Sequence, residues 1–136
     1  MNCKTPPKLL IVSHGKMCDM IVESAKMIGI DVSDIIPMPM EEVVNVDIFE
    51  NDIRDIVDTF PSGSLVLVDL LGGTPFNIIS RILMDYDLYA VTGVNLPMII
   101  EFSTYCKTLS GKELQIAIKE AGKNGIIDIN EFLNEL

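Results

Sequence analysis

The stretch SLVLVDLLGGTPFNIISRILM, residues 64–84, changes its hydrophobic period once, and that change decides the fold. Its first eight residues form a short, almost continuous apolar run, as expected of a strand buried on both faces. Two glycines follow, and then a helical pattern in which Thr74 reads as the N-cap. Pro75 then takes the first helical position, where its missing N–H costs nothing. A buried strand that turns through glycine into a helix is half of a βαβ unit.

The same alternation extends in both directions. Upstream, KLLIVS (8–13) is another buried strand, and Met17, Met20, Ile21, Met27 and Ile28 fall at helical spacing, with Gly29 as the stop. DIIPMPM (34–40) reads as a second strand running into a loop punctuated by Pro37 and Pro39. Asp47 and Glu50 have capping-box spacing ahead of the stripe Ile53, Ile56, Val57 and Phe60. Downstream, LYAVTG (88–93) is a fourth strand, and Asn95 caps a helix with Pro97 near its start. SGKE (110–113) is a capping box for a helix carrying Leu114, Ala117, Ile118 and Ala121, ended by Gly122 or Gly125. IIDI (126–129) reads as a short final strand. The expected fold is therefore α/β, a doubly wound, mostly parallel sheet of four strands plus this short C-terminal strand. No repeat, linker or low-complexity segment interrupts it, so residues 1–136 are expected to be one domain.

Composition removes several function classes. With 20 Asp and Glu against 10 Lys and Arg, a net charge of -10 argues against nucleic acid and against anionic lipid as partners. Cys3, Cys18 and Cys106 are odd in number and far apart, which points away from a disulfide framework or a zinc site and toward a reducing cytoplasm. The run LLIV near the N-terminus is too short for a signal-peptide core, and no stretch approaches the roughly 20 apolar residues that cross a bilayer.

In a parallel sheet the carboxyl ends of all strands share one edge. Three turns meet there: Ser13-His14-Gly15, Asp69 with LLGGT, and Thr92-Gly93-Val94-Asn95. His14 is the chain's single histidine, and a neutral imidazole is a nucleophile at cellular pH. To attack phosphorus, one ring nitrogen must be bare while the other holds the proton, and Asp69 is the carboxylate placed to fix that tautomer. Gly72 and Gly73 let backbone approach closely, and Thr74 adds a hydroxyl and the positive end of its helix. Taken singly, each has a plainer reading: a structural histidine, a turn aspartate, a common strand-to-helix turn, a capping asparagine. Leu71 either walls the pocket or packs. The joint placement on one edge favours function.

VLVDLLGGTPFN (66–77), VTGVNLPMIIE (91–101) and IVSHG (11–15) together resemble the hallmark segments of the mannose-family IIA components of the bacterial sugar phosphotransferase system. The resemblance spans about residues 8–125. It implies a phosphotransferase component, an enzyme working through a phosphohistidine. His14 accepts a phosphoryl group, on Nε2, from the histidine phosphocarrier protein HPr and passes it to a IIB component that serves a membrane permease. It further implies Asp69 as orienter, Gly73 and Thr74 as the phosphoryl cradle, no metal or cofactor, and a homodimer whose last strand, 126–129 here, crosses to the partner. With no Ala/Pro-rich linker after the IIA-like region, IIB is expected on a separate polypeptide. The loop after the second strand departs from the family pattern: Met38, Met40, Glu41 and Glu42 stand where a Gly and one acidic residue are usual. Those methionines either face a docking partner or tuck into the core.

Other histidine and aspartate chemistries fit less well. An acid-phosphatase-like enzyme needs an Arg before the histidine and a second histidine, and a receiver domain needs an acidic pair after the first strand. The phosphotransferase subunit of a dihydroxyacetone kinase shares the histidine chemistry but usually differs at GGTPFN. A non-catalytic small-molecule-binding module is the remaining alternative.

Overall fold

The computed structural model describes residues 5–136, so Cys3 lies outside the described residues. The chain runs β1 (Leu9–His14), α1 (Met17–Met27), β2 (Ile35–Met40), α2 (Val46–Val57), β3 (Ser64–Val68), α3 (Gly73–Ile82), β4 (Leu88–Thr92), α4 (Leu96–Tyr105), α5 (Gly111–Asn124) and α6 (Ile129–Asn134). The four strands are all parallel, in the order β2-β1-β3-β4. Because β2 and β3 flank β1 on opposite sides, chain direction across the sheet reverses at β1, which makes the carboxyl ends of β1 and β3 the topological switch point where such sheets place their sites.

The near-continuous apolar runs follow from burial on both faces. Leu9, Ile11, Leu65 and Leu67 point to one side, where Val22 of α1, Ile99 and Phe102 of α4 and Leu114 and Ile118 of α5 enclose them. Leu10, Val12, Val66 and Val68 point to the other, against Phe49 and Ile53 of α2 and Ile78 and Ile82 of α3. This period-2 division between two helical layers is what a strand does with alternate side chains. Cys18 and Cys106 are buried free thiols on the first side.

Sequence and structure differ at several places; Ser110, for one, is the N-cap of α5 but makes no side-chain capping bond, so the expected capping box does not close. Pro37 and Pro39 lie inside β2 instead of a loop after it. Leu9 N–H donates to Asp34 O and Gly15 N–H to Met40 O, so the even-numbered residues of β2 face β1. The prolines therefore turn their missing N–H groups toward the open edge, the place where a strand tolerates them. Asn45, not Asp47, caps α2, its side chain accepting from Ile48 N–H at 3.1 Å. Gly72 precedes α3, so Thr74 and Pro75 fall within its first turn instead of at its cap and first position. The expected strand at 126–129 does not form in the single chain. Residues 126–128 are irregular and Ile129 opens α6, because a strand needs a neighbouring ladder and the described chain pairs four strands only.

Helices α4 and α5 approach closely through Gly122, where an added Cβ would meet Met98 Cγ at 2.7 Å. Asn95 joins the same contact, accepting from Met98 N–H and donating to Gly122 O. Gly122→Val is expected to lower the unfolding free energy by about 1–3 kcal/mol through overpacking, measured by urea denaturation. An unchanged midpoint would mean that the two helices separate freely.

Candidate active site

Register places the reactive groups. Val12 of β1 lies opposite Val68 of β3, so the residue that follows each strand emerges on the same edge. Asp69 N–H donates to Val12 O at 3.2 Å, continuing the ladder one step beyond β3. Its carboxylate then turns onto His14. Asp69 Oδ2 is 2.8 Å from His14 Nδ1 and accepts from the His14 main-chain N–H, also at 2.8 Å. Asp69 Oδ1 accepts from Leu70 N–H at 2.9 Å. Both oxygens thus face main-chain N–H donors, a pattern that suits the ionised carboxylate.

Electrostatics agree with that geometry. Burial pushes the Asp69 carboxyl upward, but the His14 backbone and side-chain hydrogen bonds outweigh it and hold the group below its usual value. An ionised Asp69 gives a neutral His14 ring its tautomer: the proton sits on Nδ1 and Nε2 keeps its lone pair. The imidazole is about half exposed, while the carboxylate that orients it is nearly covered.

Gly72 and Gly73, both at φ +85°, carry the chain over the ring into α3. A Cβ on Gly73 would stand 3.1 Å from His14 Cε1 and 3.3 Å from Nε2, so a side chain there would press on the nucleophile. Gly73 opens the ten-residue helix α3, so the first-turn N–H groups of Gly73 and Thr74 have no intrahelical acceptor and the helix presents its positive end on the side of the ring that Gly73 touches.

Asp69 and Gly73 are both brought against His14, with Gly72 and Thr74 next to Gly73 in the chain. Ser13 is adjacent in sequence but points to the opposite face, since strand side chains alternate. It is fully buried, donating to Gly15 O at 2.9 Å and accepting from Cys18 N–H at 3.0 Å, and so pins the turn from β1 into α1. Gly15, at φ +58°, is the pivot of that turn. Asn95 is spent on capping α4 and bonding α5, and does not reach the histidine. Leu71 neither walls a pocket nor packs: its side chain is 74 % exposed. Met38 and Met40 take the core option, packing against the layer built on α2 and α3. The bond from the His14 main chain to Asp69 was not foreseen, because it depends on the β1–β3 register, which no local pattern specifies.

Among the described residues no cluster of three or more His, Cys, Asp or Glu is arranged to hold a metal ion, and no helix is long and apolar enough to cross a membrane.

Asp69→Asn sets an N–H against either Leu70 N–H or the His14 donors, and should cost about 1–3 kcal/mol at neutral pH. A lowered folded-state pKa stabilises above the unfolded value, and the gain is lost as pH falls through the folded one. The gap between wild type and variant should therefore hold above about pH 5 and shrink below about pH 4. Urea denaturation across that range tests it; a gap independent of pH would refute the carboxylate's role.

Comparison with known proteins agrees with this edge. The family profile described as PTS (phosphotransferase system) system fructose IIA component matches residues 8–119. The mannose-specific EIIAB component of Escherichia coli K12 is 30% identical over 125 residues, covering 87% of this chain; the chain spans 38% of that relative's length. The fructose-specific EIIA component of Bacillus subtilis is 26% identical over 131 residues, covering 94% of this chain and 90% of the relative. Among solved structures, EIIA from Streptococcus agalactiae superposes with a TM-score of 0.85 at 26% identity, covering 91% of this chain and 98% of that one. The mannose/sorbose IIA subunit from Enterococcus faecalis gives 0.81 at 27% identity, covering 91% and 95%. With the matched profile covering all four strands and the whole histidine edge, the chain belongs to the EIIA-man family of phosphotransferase-system sugar components.

Proposed function

We propose that this protein is a phosphocarrier in which His14 Nε2 accepts a phosphoryl group from phospho-HPr and passes it to a IIB component for sugar uptake. The observation that supports this most directly is the pairing of a half-exposed imidazole, tautomer-locked by Asp69, with a glycine helix start pressed against its free nitrogen. In the transfer, the Nε2 lone pair forms a P–N bond while the donor's P–N bond breaks and its electron pair returns to the donor ring. The Nδ1 proton stays on Nδ1, and the positive charge that develops on the His14 ring lies beside the Asp69 carboxylate. Gly73 and Thr74 N–H groups and the α3 dipole offset the charge on the phosphoryl oxygens. Positioning and charge stabilisation are sufficient for a loose phosphoryl-transfer transition state. The reverse of this step, with a IIB side chain as the nucleophile, releases the group.

The assay is incubation with enzyme I, HPr and phosphoenolpyruvate, read by intact mass. One acid-labile phosphoryl group should appear on wild type and be absent from His14→Ala. Acceptance at full extent by that variant would refute the assignment. Asp69→Asn should remain folded at neutral pH but accept the group roughly 10² to 10⁴ times more slowly, the usual loss when a proton-positioning group goes.

We also propose that the protein is a homodimer in which residues 126–129 pair with the partner's β4. The C-terminal segment supports this reading, since Ile126, Ile127 and Ile129 are exposed and α6 buries nothing. β4 is likewise an edge strand, flanked on one side only. Removing residues 126–136 should convert the dimer to monomer in sedimentation velocity; an unchanged coefficient per subunit mass would refute the exchange.

A further inference from the structure

Ser13 and Ser64 are the two buried polar residues among the described residues, and Ser13 stands one place before the reactive histidine in an otherwise apolar run of β1. A hydroxyl taken out of water costs free energy unless it is bonded, so its partners define its role. Ser13 Oγ donates to Gly15 O at 2.9 Å and accepts from Cys18 N–H at 3.0 Å. Both partners lie beyond His14, one in the turn and the other at the second residue of α1. Lys16, at the cap of that helix, makes no side-chain capping bond. The strand hydroxyl therefore supplies the bond that a cap residue normally gives.

These bonds complete a clamp on the histidine. Asp69 Oδ2 holds the His14 N–H, Met40 O holds the Gly15 N–H at 2.8 Å, and Ser13 holds the Gly15 carbonyl. Three consecutive peptide planes are tied down, 13–14 by Asp69, 14–15 by Met40 and 15–16 by Ser13. The last tie lies across a soft pivot, because Gly15 at φ +58° has no side chain to resist rotation. Without the hydroxyl, motion of α1 about that pivot would pass to the His14 peptide, held on that side by a bond to the edge strand β2. The tolerance is small, since Gly73 lies against the ring: a Cβ there would stand 3.3 Å from Nε2.

Building on the phosphocarrier reading, we propose that Ser13 is a positioning residue for phosphoryl transfer, its hydroxyl locking the β1–α1 turn so that His14 Nε2 stays aimed at the incoming phosphorus. Ser13 is fully buried, so it touches neither the donor nor the transferred group. Loss of the hydroxyl leaves Gly15 O and Cys18 N–H without their partner, loosens the turn and lets the ring leave its productive orientation. A small displacement of the nucleophile is enough to slow transfer, while donor binding is unaffected.

The test compares Ser13→Ala, which adds no bulk beyond the methyl it leaves, with Ser13→Thr and Ser13→Val, a pair matched in shape that differs in the hydroxyl. Initial rates of His14 phosphorylation are measured against phospho-HPr over a range of concentrations. They are also measured against phosphoramidate, whose P–N bond breaks to release ammonia as the bond from phosphorus to Nε2 forms. Urea denaturation gives the folded fraction, and rates are taken per folded molecule. The Ala and Val variants should lose about 10- to 100-fold in kcat and in the phosphoramidate rate, with KM for phospho-HPr within about twofold of wild type. Thr should restore most of the rate. Ring 15N shifts should report the Nδ1–H tautomer in wild type and the Thr variant, and a mixture of tautomers in the other two. If the larger pair does not fold, Ser13→Ala decides by the same readings. A lowered urea midpoint with rate and tautomer unchanged would make Ser13 a folding residue only and overturn the proposal. A raised KM at unchanged kcat would overturn it as well. No acceptance from phospho-HPr by wild type would overturn the phosphocarrier reading, and this proposal with it.

Discussion

Everything at the crevice depends on one carboxylate that serves two masters. Asp69 Oδ2 takes both the main-chain N–H of His14 and its ring Nδ1, so a single group fixes where the histidine backbone sits and which nitrogen is free. Removing the carboxylate would release the β1 turn as well as the tautomer. It stays ionised despite burial because those donors, with Leu70 N–H, supply what water would otherwise supply. Rigidity and reactivity at this site share one cause.

The sheet exists to make that bond possible. Two-faced burial forces β1 and β3 to be straight, apolar and in strict register, and register brings residues 55 apart in sequence to 2.8 Å. Alternation along β1 then divides labour between neighbours. Ser13 turns toward α1 and braces the turn, and His14 turns toward α3 and meets the glycines. A shift of one residue would exchange those roles and bury the imidazole.

Charge and apolar surface are distributed according to need. The molecule is acidic overall, its cores are aliphatic, and the prolines of β2 close one sheet edge to further pairing by facing outward without N–H groups. The other edge is partly covered: Gln115 of α5 donates to the main-chain oxygen of Ala90 in β4 at 2.9 Å. The exposed apolar groups that remain are densest along the C-terminal segment, with Leu70 and Leu71 following Asp69 and others scattered over the helices.

By itself the sequence determined the four strands, the helices α1–α5 between and after them, their order and the parallel sheet, because hydrophobic period is a local property; only the last segment, expected as a strand and a tail, came out as irregular chain and α6. It also determined the edge on which His14, Asp69, Gly73 and Thr74 meet, since strand ends in a parallel sheet have nowhere else to go. Where competing local signals existed, only the tertiary structure decided. Asn45 prevailed over Asp47 as a cap because the chain enters α2 two residues earlier. Pro37 and Pro39 joined a strand because β2 is an edge. Asn95, plausible in the crevice, was claimed by the α4–α5 contact, and Met38 and Met40 by the core. Residues 126–128 stayed irregular because a strand is not a property of its own residues: it forms only where another strand offers the groups to pair with.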